Sequence, residues 1–184
     1  MKSPRRLFLL ANSFFVLALG MFGPIYAIFV QQIGGDILDA GAAWSIFMII
    51  SGVGMLIMGK VQDMLKREKP MILLGYGLRS SAYLGYLFVS NVWHLFIVQI
   101  FLGLSAVVIT PASDSFYTKY LEKGKFASQW AAWESLFFII SGVAAIIGAF
   151  IVKLFGFRIL FLGMFLVSLL GLFFASWLED KDEN

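Results

Sequence analysis

Six long apolar runs divide this chain, at about 7–30, 43–59, 71–90, 93–118, 129–152 and 158–177. A membrane-spanning helix needs roughly 20 mostly apolar residues, and each run is close to that length. Such runs leave no stretch for a soluble domain. The expected fold is therefore an all-α membrane protein, with residues 1–184 forming a single domain of six transmembrane helices and a polar tail over 178–184. Composition agrees, since 60% of the residues are hydrophobic and mean hydropathy is +0.89, where soluble domains are about 45–50% apolar.

Charge supplies the orientation. The stretch Gly59–Lys69 separates the second and third runs and carries Lys60, Asp63, Lys66, Arg67, Glu68 and Lys69. A segment this charged belongs at a water interface, and it reads as a loop. Eleven Lys and Arg residues fall at one set of run ends: Lys2, Arg5, Arg6, Lys60, Lys66, Arg67, Lys69, Lys119, Lys123, Lys125 and Lys181. The opposite ends hold Lys153 and Arg158, and Arg79 falls inside the third run. Lys and Arg collect on the cytoplasmic side. Both termini and both charged segments are thus expected there, in a multi-pass protein of a bacterial-type plasma membrane. The basic start followed by an apolar run resembles a signal peptide, with Ala18-Leu19-Gly20 as a cleavage-like site. The run continues to Val30, beyond a normal signal core, so it reads as an uncleaved first helix. The Trp residues near the run ends (Trp44, Trp93, Trp130, Trp133 and Trp177) suit interfacial anchoring.

Several functions are poorly served. With no cysteine there is neither a disulfide nor a thiolate metal site. The one histidine, His94, sits beside Trp93 at a run boundary and reads as an interfacial residue. A net charge of +3 with no basic cluster on a soluble face does not suggest nucleic acid. An intramembrane serine protease needs Gly-x-Ser-Gly and a later histidine. Gly103-Leu104-Ser105-Ala106 lacks the second glycine, and His94 precedes it. No enzymatic activity, cofactor or metal is expected.

The chain also repeats itself. Ala42-Ala43-Trp44 recurs as Ala131-Ala132-Trp133, and Ser45 to Val53 recurs as Ser135 to Val143, with Ile-Ile-Ser-Gly-Val at matching places. Three helices separate the copies, so they run in opposite directions. This is a three-plus-three inverted repeat, about 7–90 and 93–177, of the kind used by transporters; chance likeness between two apolar helices is the alternative.

Polar residues inside the runs are the functional candidates. Gln99, Thr110, Ser113 and Tyr117 fall within roughly 40° of one another at about 100° per residue, and Asn12 and Tyr26 share a face of the first helix. Hydroxyls bonded to their own helix, or amides joining helices, are the plainer reading. Arg79, Asp114 and Glu134 lie about 12, 9 and 8 Å from the basic end at 1.5 Å per residue. An isolated intramembrane charge is expensive, so Arg79 is expected to pair with Asp114, Glu134 or both.

Gly59-x-x-x-Asp63 with Lys66-Arg67 resembles the loop between helices 2 and 3 of the major facilitator superfamily. Gly103 followed by Pro111 resembles its fourth-helix pattern, and Gly156-Phe157-Arg158-Ile159-Leu160-Phe161 its entry to helix 6. Leu65 stands where a second loop glycine is common. Gln99 stands where proton-coupled members often have arginine, and Gly142–Gly148 lacks the proline of the antiporter signature. The resemblance covers one six-helix half of a usual twelve-helix member. It implies a transporter of a small solute working by alternating access. Asn12, Tyr26, Gln99, Thr110, Ser113 and Tyr117 would face the cavity, and Gly59, Asp63, Lys66 and Arg67 would form a cytoplasmic gate. It also implies a homodimer that restores the missing half. Gly52 and Gly59 of the second helix would pack on Gly142, Ala145, Gly148 and Ala149 of the partner's fifth, since small residues allow close approach. The expected partners are a second copy, membrane lipid and a small solute, neutral or amphipathic. A non-transporting assembly subunit, or one half of a heteromeric transporter, is the alternative.

Overall fold

The computed structural model describes residues 4–179. Among them there is no strand, and the chain is helical almost throughout. Helix α1 (Pro4–Gly20) passes through a 3-10 turn (Gly23–Ile25) into the short α2 (Tyr26–Gln32). Then come α3 (Ile37–Leu65), α4 (Glu68–Gly85), α5 (Val92–Lys119) and α6 (Phe126–Ala175). By length and composition four stretches could cross a membrane: Pro4–Gln32, Ile37–Leu65, Val92–Lys119 and Phe126–Ala175. The last has 50 residues, or about 75 Å of helix, more than twice a bilayer core of roughly 30 Å. It does not run straight. Gly156 has φ 80° and ψ 173°, a conformation open to glycine alone, and it splits α6 into arms 126–155 and 157–175.

Local chemistry sets the other breaks. Asp36 and Asp39 cap α3 reciprocally, each carboxylate accepting the other's backbone N–H at 2.9 Å. This satisfies two of the orphan donors at a helix start. Asn91 caps α5 by accepting the His94 N–H at 3.1 Å. Pro70 sits in the first turn of α4, where its missing N–H has no intrahelical partner to lose.

The expected loop Gly59–Lys69 is almost entirely helical, which corrects the sequence reading. Residues through Leu65 belong to α3, and Glu68 already opens α4. Only Lys66 and Arg67 connect them. Lys66 takes the left-handed conformation (φ 52°) that ends the helix, a place more often given to glycine or asparagine. The charges misled because charge decides where a segment meets water, not whether its backbone is helical.

Packing contacts give the helix directions. Gly54 meets Val107 and Gly103 meets Ile50, so α3 and α5 run parallel. Phe8 lies against Trp133, with ring centroids 5.0 Å apart, and Gly20 against Ser141, so α1 runs parallel to the first arm of α6. The second arm returns antiparallel, placing Phe161 on Phe22 at 5.1 Å and Gly171 on Ala11. Helix α4 is antiparallel to α5, through Glu68 with Ser115 near one end and Arg79 with Ser105 further along.

One end of the bundle thus gathers the start of α1, the α3–α4 corner, the α5–α6 connection and the end of α6. Tyr120 Oη donates to the Glu179 carbonyl at 3.0 Å there, and Arg5 lies 3.9 Å from Glu122. The core has two parts. Phe8, Tyr76, Phe116 and Tyr117 fill the charged end, and Phe22, Phe29, Tyr86 and Phe161 the other.

Candidate substrate cavity

Beside the second of these clusters lies a cavity of about 280 Å³, near the lower edge of the roughly 300–1,000 Å³ of small-molecule sites. Five elements meet at it. The break after α1 supplies Phe22 and Pro24, α3 supplies Trp44 and Phe47, and α4 supplies Arg79 and Tyr83. Helix α5 adds Gln99, and the two arms of α6 add Phe137 and Met164.

The break in α1 is what opens this wall. Gly20 lies so close to α6 that a Cβ there would fall 2.8 Å from the Ser141 Cα and 2.9 Å from the Ala144 Cβ. Helix and arm touch through backbone at that point. The chain then unwinds through Met21–Ile25, with Pro24 in the first turn of the 3-10 segment. That detour swings Tyr26 over the cavity.

The polar equipment is small and defined. Gln99 Nε2 donates to Tyr26 Oη at 2.8 Å, joining α2 to α5. Arg79 is 4% exposed. Its Nε donates to Ser105 Oγ at 2.8 Å, and Ser105 Oγ passes the bond on to the Leu102 carbonyl at 2.9 Å. The guanidinium also stands 4.7 Å from the centre of the Phe15 ring, a cation–π contact that contributes about 0.5–2 kcal/mol. Tyr83 is buried with its hydroxyl beside Arg79, and it has no other hydrogen-bond partner among the described residues.

The expected ion pair does not form. Among the described residues Arg79 has no carboxylate within salt-bridge distance. It is bonded at the level of Ser105, nine positions before Asp114, or about 13 Å along α5. Asp114 is instead within electrostatic reach of Glu134, another acid. The depth estimate failed because α4 starts at Glu68, earlier than its apolar run, so Arg79 lies deeper than counted.

Of the six expected cavity residues, Tyr26 and Gln99 line this space together. Asn12 and Thr110 are half-buried elsewhere. Ser113 is buried with its hydroxyl unpartnered, and Tyr117 donates to the Gln129 carbonyl. The stripe from Gln99 to Tyr117 is about 27 Å long, too long for one small cavity, and its lower half packs between helices. Sequence reasoning missed Arg79 as a wall residue, together with Tyr83, Phe47 and Phe137. The last two had a signal: they occupy matching positions of the internal repeat.

The sequence model of the Major Facilitator Superfamily matches residues 8–184. The chain belongs to that superfamily. It is 26% identical over 146 residues to an uncharacterised MFS-type transporter of Methanocaldococcus jannaschii, a match spanning 79% of this chain and 38% of that relative's length. The chain is a multi-pass membrane protein.

In this superfamily member, the segment read as a gate has an unexpected centre. Asp63, Lys66 and Arg67 are exposed, whereas Glu68 is 1% exposed. Its carboxylate accepts from Ser115 Oγ at 2.9 Å and pairs with Lys119 at 3.0 Å, fastening the start of α4 to the end of α5. An acid in the first turn also suits the positive helix terminus. Outside the spans, Glu122 has its carboxyl pushed below the ordinary 4.5, chiefly by the hydrogen bond from Lys125 at 2.7 Å.

The expected interface glycines divide. Gly52 and Gly142 are exposed with open space where a Cβ would go, Ala149 is exposed and Ala145 half-covered. Gly148 is a correction. It is buried against the backbone of Met21 in the same protomer, so its missing side chain serves the contact with the α1 break and offers nothing to a partner.

Proposed function

We propose that this chain is one six-helix half of an alternating-access transporter for a small solute, and that a second copy completes it. Each of α1, α3, α4, α5 and the two arms of α6 would cross the bilayer, both termini facing the cytoplasm. The observation that carries the reading is the cavity wall formed by Phe47 of α3 and Phe137 of α6. These residues are mates in the repeat, and both line the same cavity. The packing supports the inverted repeat, since α3 lies on α5 as the first arm of α6 lies on α1. Along α3 only Ala43, Ser51 and Gln62 are buried, and Ile139, Val143 and Ile146 of α6 are exposed. Both helices thus present broad uncovered apolar faces beside the cavity. A second half placed there would seal it, in the two-fold arrangement that superfamily halves usually have. The exposed Asp63 and Arg67 would meet the partner at the cytoplasmic end and bias the closed state of that side.

The match to only 38% of the relative's length favours a second arrangement, in which a different six-helix half supplies the missing wall. One experiment separates them. The sequence contains no cysteine, so the double variant Gly52→Cys/Gly142→Cys is a clean crosslinking probe, with each single variant as its control. The homodimer gives disulfide-linked pairs in lipid, and two copies per disc by single-molecule photobleaching. One copy per disc with no crosslink from the double variant would sink the homodimer. A co-purifying second six-helix chain would then be the expected finding. Labelling of Arg67→Cys by an impermeant maleimide, in inverted but not right-side-out vesicles, tests the orientation.

A further inference from the structure

Arg79 presents an unusual balance of charge. It is buried, its Nε is occupied by Ser105, and the guanidinium faces a cavity with no acidic residue in its wall. Removing an ion from water costs several kcal/mol unless it is paired, and the Phe15 ring offsets only part of that. Arg carries five N–H donors in a fixed fork, so Ser105 and the neighbouring Tyr83 hydroxyl leave part of its capacity unused. Tyr83 adds a buried hydroxyl to the same cavity lining, beside Arg79 and with no other hydrogen-bond partner among the described residues. Both groups are suited to donating. The rest of the wall is apolar and largely aromatic, with Phe22, Phe47, Phe137 and Met164.

We infer that the cavity binds a small organic anion, its acidic group held by the Arg79 fork and the Tyr83 hydroxyl and its apolar body against the phenylalanines. Gln99, already tied to Tyr26, adds an amide to the same cavity lining. This deepens the transporter reading and rests on it for the solute being carried. It also replaces the neutral solute suggested by the uncharged stripe on α5, because the charge comes from α4. A planar fork favours carboxylate or phosphate through paired hydrogen bonds. The modest volume suits a solute of about a dozen non-hydrogen atoms.

The test is isothermal titration of the full chain in nanodiscs of zwitterionic lipid, with 3-phenylpropionate, its neutral amide and 3-phenylpropylamine. The acid is expected to bind at least tenfold tighter than the amide, and the amine more weakly than either. Arg79→Gln removes the preference for the acid. Should that variant not fold, Tyr83→Phe, which deletes only a hydroxyl, weakens the acid several-fold and the amide little. Equal binding of acid and amide, preference for the amine, a preference that survives Arg79→Gln, or no binding of the acid each overturns the inference. Repeating the titration in phosphatidylglycerol discs distinguishes a lipid headgroup from a free solute. Displacement of the acid there assigns the site to lipid and overturns the solute assignment. Flux into proteoliposomes is read separately. Binding of the acid without flux leaves the anion site standing and removes the transporter reading. Flux of neutral solutes without anion preference does the reverse.

Discussion

Glu68 offers the sharpest test of how the charged end is held together. Its carboxylate is buried and joins two partners on α5, Ser115 at 2.9 Å and Lys119 at 3.0 Å. Hydrogen bonds to charged groups contribute about 1.5–3 kcal/mol each. That figure needs discounting here, because the Lys119 side chain is 19% exposed and water can take over part of its solvation. Glu68→Gln keeps the shape and one acceptor for Ser115 and removes the charge. We expect a loss of about 1–3 kcal/mol. A double-mutant cycle with Lys119→Met isolates the pair from whatever else each side chain touches, with an expected coupling of about 1 kcal/mol. The assay is reversible unfolding in mixed micelles, followed by tryptophan fluorescence. A coupling of zero within about 0.3 kcal/mol, the usual error of such cycles, would refute the claim that this contact fastens α4 to α5. Strict additivity would mean that both side chains lie in water and that the corner is held by apolar packing alone.

Three further expectations follow from particular contacts. Gly148→Ala drives a Cβ into the Met21 backbone and should cost about 1–3 kcal/mol by overpacking, whereas Gly142→Ala, with open space around it, should stay within about 0.5 kcal/mol; both are read by the same unfolding assay. Tyr117→Phe removes the bond to the Gln129 carbonyl and should cost about 0.5–1.5 kcal/mol, with amide exchange at the start of α6 rising in step. Glu122 is held below its ordinary 4.5 by Lys125, and a depressed acid loses its contribution only as pH falls through the folded value. Any stability difference between wild type and Glu122→Gln should therefore be flat from about pH 5 to 8 and change only below pH 4.5; a change centred near pH 6 would contradict the assignment.

Most of the expectations that the structure overturned concern contacts between helices. Apolar runs of nearly twenty residues dictate a helical membrane protein, because hydrocarbon leaves the backbone no other partner than itself. The internal repeat and the signature residues were equally legible, being patterns along the chain. Gly156 was readable as a break for the same local reason. What could not be read was which groups come together across helices. Nothing in the spacing around Arg79 says that it meets Ser105 and Phe15 rather than Asp114. That depends on how far α4 extends beyond its apolar run. Small residues posed the same difficulty, for a glycine permits close approach without naming its neighbour. Gly148 faces Met21 of its own protomer while Gly142 faces open space, although both lie on the same helix. The chain alone determined its solvent, most of its helical runs and its repeat, all of which follow from local composition. Only the tertiary structure decided that a buried cation and a buried tyrosine hydroxyl share an acid-free cavity, because that depends on the relative depth and rotation of five packed elements.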